Sequence, residues 1–226
     1  MREGVLMKKS VYSVVLMDHV VQAIDALAAR QGTSRSNLMN QILAEHVCCM
    51  TPEKRMQSIF SVMEEQMNQM FRIQMQASDA MLSMQSALRY KYRPTLRYSV
   101  ELMREPTENQ IGWLRISCRT QNQSLLKAMD AFFRFWIQLE QRYEPVCRQM
   151  EGMYEIAPGR MTRCLLRREE LSTEETGHAI SLYIHQFDEL IQAYFSGIQE
   201  EYPAEMLKQK LEQRFSEQRQ KQEVLI

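Results

Sequence analysis

The chain has 226 residues, equal numbers of acidic and basic side chains and 45% hydrophobic content, which is the make-up of one or two globular domains. With no net charge, any basic surface has to be local, and most of the chain does something other than coat a polyanion. No apolar run approaches a membrane span and the start lacks a signal-peptide core, so a cytoplasmic protein is expected.

The first structured stretch runs from Lys8 to Val47 and reads as a strand, a helix, a glycine turn and a second helix. From Ser10 to Leu16 the side chains alternate, with Tyr12, Val14 and Leu16 on one face and Lys9, Val11, Ser13 and Val15 on the other. Asp18 opens a helix whose Val20, Ile24, Leu27 and Ala28 form one apolar stripe. Gly32 stops it as a left-handed C′ residue, and Ser34 caps a second helix carrying Leu38, Met39, Ile42, Leu43 and Val47. A single strand and two short helices bury too little surface to fold alone, so the unit implies a partner. Pairing the strand with its copy in a second chain supplies one.

The start of the second helix has a chemistry of its own. Its free amides, the hydroxyls of Thr33, Ser34 and Ser36, and the Arg35 guanidinium together suit a phosphate.

These parts, namely Lys8-Lys9, the strand ending in Leu16, Asp18, and the run Gly-Thr-Ser-Arg-Ser-Asn-Leu from Gly32 to Leu38, resemble the ribbon-helix-helix repressors of the MetJ, Arc and CopG type. The resemblance covers roughly the first fifth of the chain. It implies an intertwined homodimer whose antiparallel ribbon lies in the major groove of double-stranded DNA. Val11, Ser13 and Val15 would then face the bases, Lys9 would sit just outside, and Tyr12, Val14 and Leu16 would form the dimer core. Two of those three groove positions are valine, where family members usually carry polar side chains, so the strand offers no bidentate guanine contact.

Beyond this unit, Thr51 and Pro52 start a helix that no proline or glycine interrupts as far as Arg89. Met56, Ile59, Met63, Gln66, Met70, Ile73, Ala77, Ala80, Met84 and Ala87 recur at spacings of three and four, a heptad seam on a helix of roughly 55 Å. The seam suits either an extended dimer or packing against the later helices. Tyr90 to Pro94 then marks a linker and domain boundary. Arg97 to Glu105 and Gly112 to Arg119 alternate as the strands of a hairpin, with Arg97, Arg115, Arg119 and Trp113 on the outer faces. A basic, aromatic surface of this kind suits nucleic acid or an acidic ligand, although solvated edge charges are the commoner explanation. Asn122 to Tyr143 is a bulky helix, Met161 to Arg168 a third strand, and a helix capped at Thr173 closes at Gly197. Pro203 begins a last amphipathic helix with Leu207, Leu211 and Phe215.

The expected fold is mainly α with minor β. It comprises a ribbon-helix-helix over 1–50, a long connecting helix over 51–90, and an α+β domain with a small antiparallel sheet over 91–226. No phosphate-binding glycine loop, nucleophile elbow or zinc-protease motif occurs, so no enzyme is expected. The five cysteines include the adjacent Cys48 and Cys49 and have no zinc or disulfide spacing, and the histidines are scattered; neither metal nor cofactor is expected. A start at Met7 would leave Met1 to Leu6 as a disordered arm.

The functional expectation is a DNA-binding transcriptional regulator, a repressor acting as a homodimer or higher oligomer, whose C-terminal domain meets a protein partner or an effector. The alternative is an accessory protein of the relaxosome, plasmid-partition or antitoxin kind, combining DNA binding with a protein partner.

Overall fold

A computed structural model describes residues 11–47, 49–74, 78–220 and 226. The chain divides into two compact units, Met1–Arg55 and Met56–Ile226.

In the first unit, α1 spans Asp18–Gln31 and α2 spans Arg35–His46. Gly32 ends α1 in the left-handed region at φ 63°, and the N–H groups of Gly32 and Thr33 close back on Ala29 and Ala28. The Ser34 hydroxyl accepts from the Asn37 N–H at 3.2 Å and so fixes where α2 begins.

Among the described residues the expected ribbon-helix-helix is not shown. Residues 11–17 form no strand, and the sheet lies between residues 72 and 166 instead. A strand exists only as part of a ladder, and no described residue of this unit is paired with Val11 to Leu16. Lys9 lies outside the described residues.

The second unit begins within the next helix, at Met56. α3 spans Pro52–Met67, and six strands follow: β1 Arg72–Gln74, β2 Met81–Ala87, β3 Thr95–Leu102, β4 Gln110–Cys118, β5 Tyr154–Ala157 and β6 Arg160–Leu166. They form one antiparallel sheet in the order β1-β2-β3-β4-β6-β5. Between β4 and β5 come α4 Gln123–Tyr143 and the short α5 Pro145–Gln149; after β6 come α6 Thr173–Gln199 and α7 Ala204–Gln220.

The long helix over 51–90 is therefore corrected: α3 stops at Met67, and Ile73, Met84 and Ala87 of the supposed seam lie on strands. Met56, Ile59 and Met63 are buried as a helical stripe, but Met70 is exposed. From Met81 the period becomes two, with Leu82 and Met84 buried against β3 partners Val100 and Tyr98. Residues 90–94, read as a boundary, are the β2–β3 turn, closed by the Leu88 N–H on the Pro94 carbonyl at 2.9 Å, with Tyr92 and Arg93 at positive φ. The sheet is also larger than the small one expected.

One face of the sheet carries the core. Tyr98, Val100, Leu114, Ile116, Met161 and Leu165 point into it and are fully buried. Phe187 of α6 is its hub, with ring centroids 4.7 Å from Trp136 and 5.4 Å from Phe132, both on α4, and 6.2 Å from Tyr98 on β3. α7 adds Phe215, 5.3 Å from Trp136.

Helix α6 starts one residue earlier than expected: Ser172, not Thr173, is the N-cap, in a capping box with Glu175. Nor does Gly197 close it. A Cβ there would lie 2.4 Å from Leu207 Cδ1, so this glycine lets α7 approach α6 inside the helix.

Candidate nucleic-acid interface

The start of α2 is the strongest candidate built by the first unit. Arg35 and Ser36 are its first helical residues, so their amides have no acceptor within the helix, and the helix dipole puts partial positive charge there. Ser34, Arg35 and Ser36 are exposed and Thr33 is half-buried, which gathers hydroxyls, amides and a guanidinium on one accessible turn. Such a turn can hold a phosphate.

The sequence alone missed the present partner of Arg35. Its Nε and Nη2 donate to the two carboxylate oxygens of Asp25 on α1. That hydrogen bond, with the opposite charge behind it, holds Asp25 below the ordinary carboxylate pKa and Arg35 above the ordinary guanidinium value. Both side chains are about half exposed, so solvent screens the pair and an incoming anion can compete for it. Asp25 stands three residues before Ala28 on the helix that packs on α2, and only the fold brings it to Arg35.

The strand positions fare differently. Val11 is 99% and Val15 100% exposed, and Ser13 is exposed as well. Tyr12, Val14 and Met17 are also exposed, together with Ile42, Leu43, Val47 and Met50 further along. Among the described residues of 11–50, the buried apolar side chains are Ala28 and Leu38. More large apolar side chains of these described residues are exposed than buried.

A second cluster of chemistry-bearing groups is enclosed in the second unit. Arg163 Nε donates to Glu140 at 3.0 Å, and both side chains are 0% exposed. Trp136 Nε1 and the Tyr183 hydroxyl donate to the other Glu140 oxygen at 2.7 and 2.9 Å, and the guanidinium lies 4.2 Å over the Tyr183 ring. Burial opposes the charge on Arg163, but Glu140 and its neighbours prevail and raise its pKa above the ordinary value. Closed to solvent, this group ties β6 to α4 and α6 and cannot meet a substrate.

Buried thiols are equally shielded: Cys118, Cys147 and Cys164 are free, and desolvation raises the pKa of each. Among the described residues no group of histidine, cysteine and carboxylate side chains is placed to hold a metal, and no helix is long and apolar enough to cross a membrane. No family model matches the chain, and neither a curated protein nor a solved structure matches it.

Proposed function

We propose that the chain is a DNA-binding regulator that acts as a homodimer through its first unit and represses by occupying promoter DNA. The observation that carries this reading is the accessible, Ser34-capped start of α2, where Thr33, Ser34, Arg35 and Ser36 form a phosphate-sized clamp. A clamp of this kind sets register on the duplex and carries no base information. The exposed Val11, Ser13 and Val15 add methyl and hydroxyl groups of the kind that meet thymine methyls and make a single hydrogen bond.

Dimerisation is supported by the apolar side chains the unit leaves exposed, since a second copy covering Tyr12, Val14 and Ile42 would remove that surface from water.

Fluorescence anisotropy on a labelled duplex at graded salt tests the clamp. Arg35→Ala should weaken binding to every sequence alike and flatten the salt slope by about one unit, because each phosphate contact releases a counterion. An unchanged slope would remove Arg35 from the interface.

A further inference from the structure

The face of the sheet opposite the core is laid out in rows. Reading across β2, β3, β4, β6 and β5, the strand registers place Gln85, Arg97, Ser117, Arg160 and Ala157 side by side. The next row is Ser83, Ser99, Arg115, Thr162 and Glu155, and beyond it Glu101 stands opposite Trp113. Successive rows are about 7 Å apart along the strands.

Two adjoining hollows divide this surface by chemistry. The larger, about 630 Å³, has four charged side chains in its lining, all arginine: Arg97, Arg115, Arg119 and Arg160, set among serine and threonine hydroxyls. The smaller, about 340 Å³, is lined by Trp113 with the carboxylates Glu101 and Glu155, and shares Arg115 and Arg160 with the first. Glu155 lies 3.8 Å from Arg160, whereas Arg97, Arg115 and Arg119 have no ion-pair partner among the described residues.

An ordinary solvated strand face mixes its charges, since like charges held close cost energy. Here cations fill one hollow, and the carboxylates stand beside an indole in the next. Unpaired guanidinium forks match phosphate oxygens, with the neighbouring hydroxyls as further donors. Trp113, 38% exposed, offers a ring for stacking, and the flanking carboxylates accept N–H groups at the edge of a flat heterocycle. From the Arg97 row to the Trp113 row is about 14 Å, which suits a base, a sugar and more than one phosphate.

We propose that this face binds a nucleotide, its phosphates on Arg97, Arg115 and Arg119 and its base against Trp113 between Glu101 and Glu155. A free nucleoside triphosphate and a single strand share this chemistry, and the experiment separates them.

Full-length protein is titrated calorimetrically with ATP, GTP, inorganic tripolyphosphate and a short single-stranded oligonucleotide, with indole fluorescence followed in parallel. A nucleoside triphosphate should bind at least about tenfold more tightly than tripolyphosphate and quench Trp113, since Trp136 is buried. Arg97→Ala combined with Arg119→Ala should cost at least about tenfold, and Gln85→Glu, which sets a carboxylate beside Arg97, should also weaken binding. Trp113→Leu should bring the nucleotide down to the affinity of tripolyphosphate. These side chains lie on the surface, so unchanged thermal midpoints are expected for the variants. Tighter binding of the strand with the same dependence on Arg97, Arg119 and Trp113 would support the site with a polynucleotide as its source. No binding of either nucleotide or strand, equal affinity for tripolyphosphate, or indifference to the substitutions would overturn it.

Discussion

Asp25 takes two of the five N–H donors of Arg35 and part of its charge, so it competes with a phosphate for the guanidinium. Asp25→Asn should tighten duplex binding and steepen the salt slope by about one unit, as a fork no longer held by its own chain becomes available. Weaker binding by this variant would mean that the pair positions Arg35 for DNA. The pH dependence of the pair follows from its sign. Asp25 is held below its ordinary value of 3.8, so the pair contributes fully above that value and is lost as pH falls through the lowered one. It is therefore constant around neutral pH. At Glu140 the balance is different, because nothing screens a charge that is 0% exposed. Glu140→Gln keeps the volume but removes the carboxylate that faces Arg163, whose other bonds are to the Cys164 and Ile226 carbonyl oxygens, and should cost about 3–5 kcal/mol in urea unfolding. A loss under about 1 kcal/mol would show that the buried network does not hold α4, β6 and α6 together.

At the level of elements, helix α6 carries the second unit because it meets both the sheet and α3. Its close approach to α3 falls at Gly177, where a Cβ would lie 2.9 Å from both the Ile59 carbonyl oxygen and Val62 Cβ. Alanine gains about 1 kcal/mol over glycine in a helix interior, whereas overpacking a tight contact costs about 1–3 kcal/mol. Since a backbone oxygen cannot swing aside, the second effect should win: Gly177→Ala should lower the thermal midpoint, and a rise would show that α3 yields easily.

Elements of this kind were legible where one pattern acted alone. The alternation of Tyr98, Val100 and Leu102 with Leu114, Ile116 and Cys118 marks β3 and β4, and Phe132, Phe133 and Trp136 mark the heart of the core. Residues 68–87 defeated the reading because Met70, Ile73, Ala77, Ala80, Met84 and Ala87 fit spacings of three and four while Leu82 and Met84 also fit a period of two. No proline or glycine separates α3 from β1, so the break is set by the sheet that β2 joins. The N-terminal strand failed for the complementary reason: its alternation is real, but a strand requires a ladder partner, and none is found among the described residues of the unit. At the candidate interface, Ser34 and the clamp residues could be read from cap chemistry, whereas the Asp25 partner and the place of Arg160 beside Ser117 depend on packing and register.

For the molecule as a whole, the two units differ in how complete they are. Residues 56–226 bury a continuous core around Phe187, while the first unit leaves Tyr12, Val14, Leu43 and Val47 in water. A partner for that unit and a duplex for the start of α2 are the two requirements of the proposed repressor. Footprinting the full-length protein on fragments tiled through its own upstream region, at two salt concentrations and with random DNA as competitor, meets both at once. Protection of a short two-fold or repeated site that survives the competitor is the predicted result. Binding that the competitor removes would instead fit an architectural or accessory role, and no protection at either salt would contradict DNA binding by this chain.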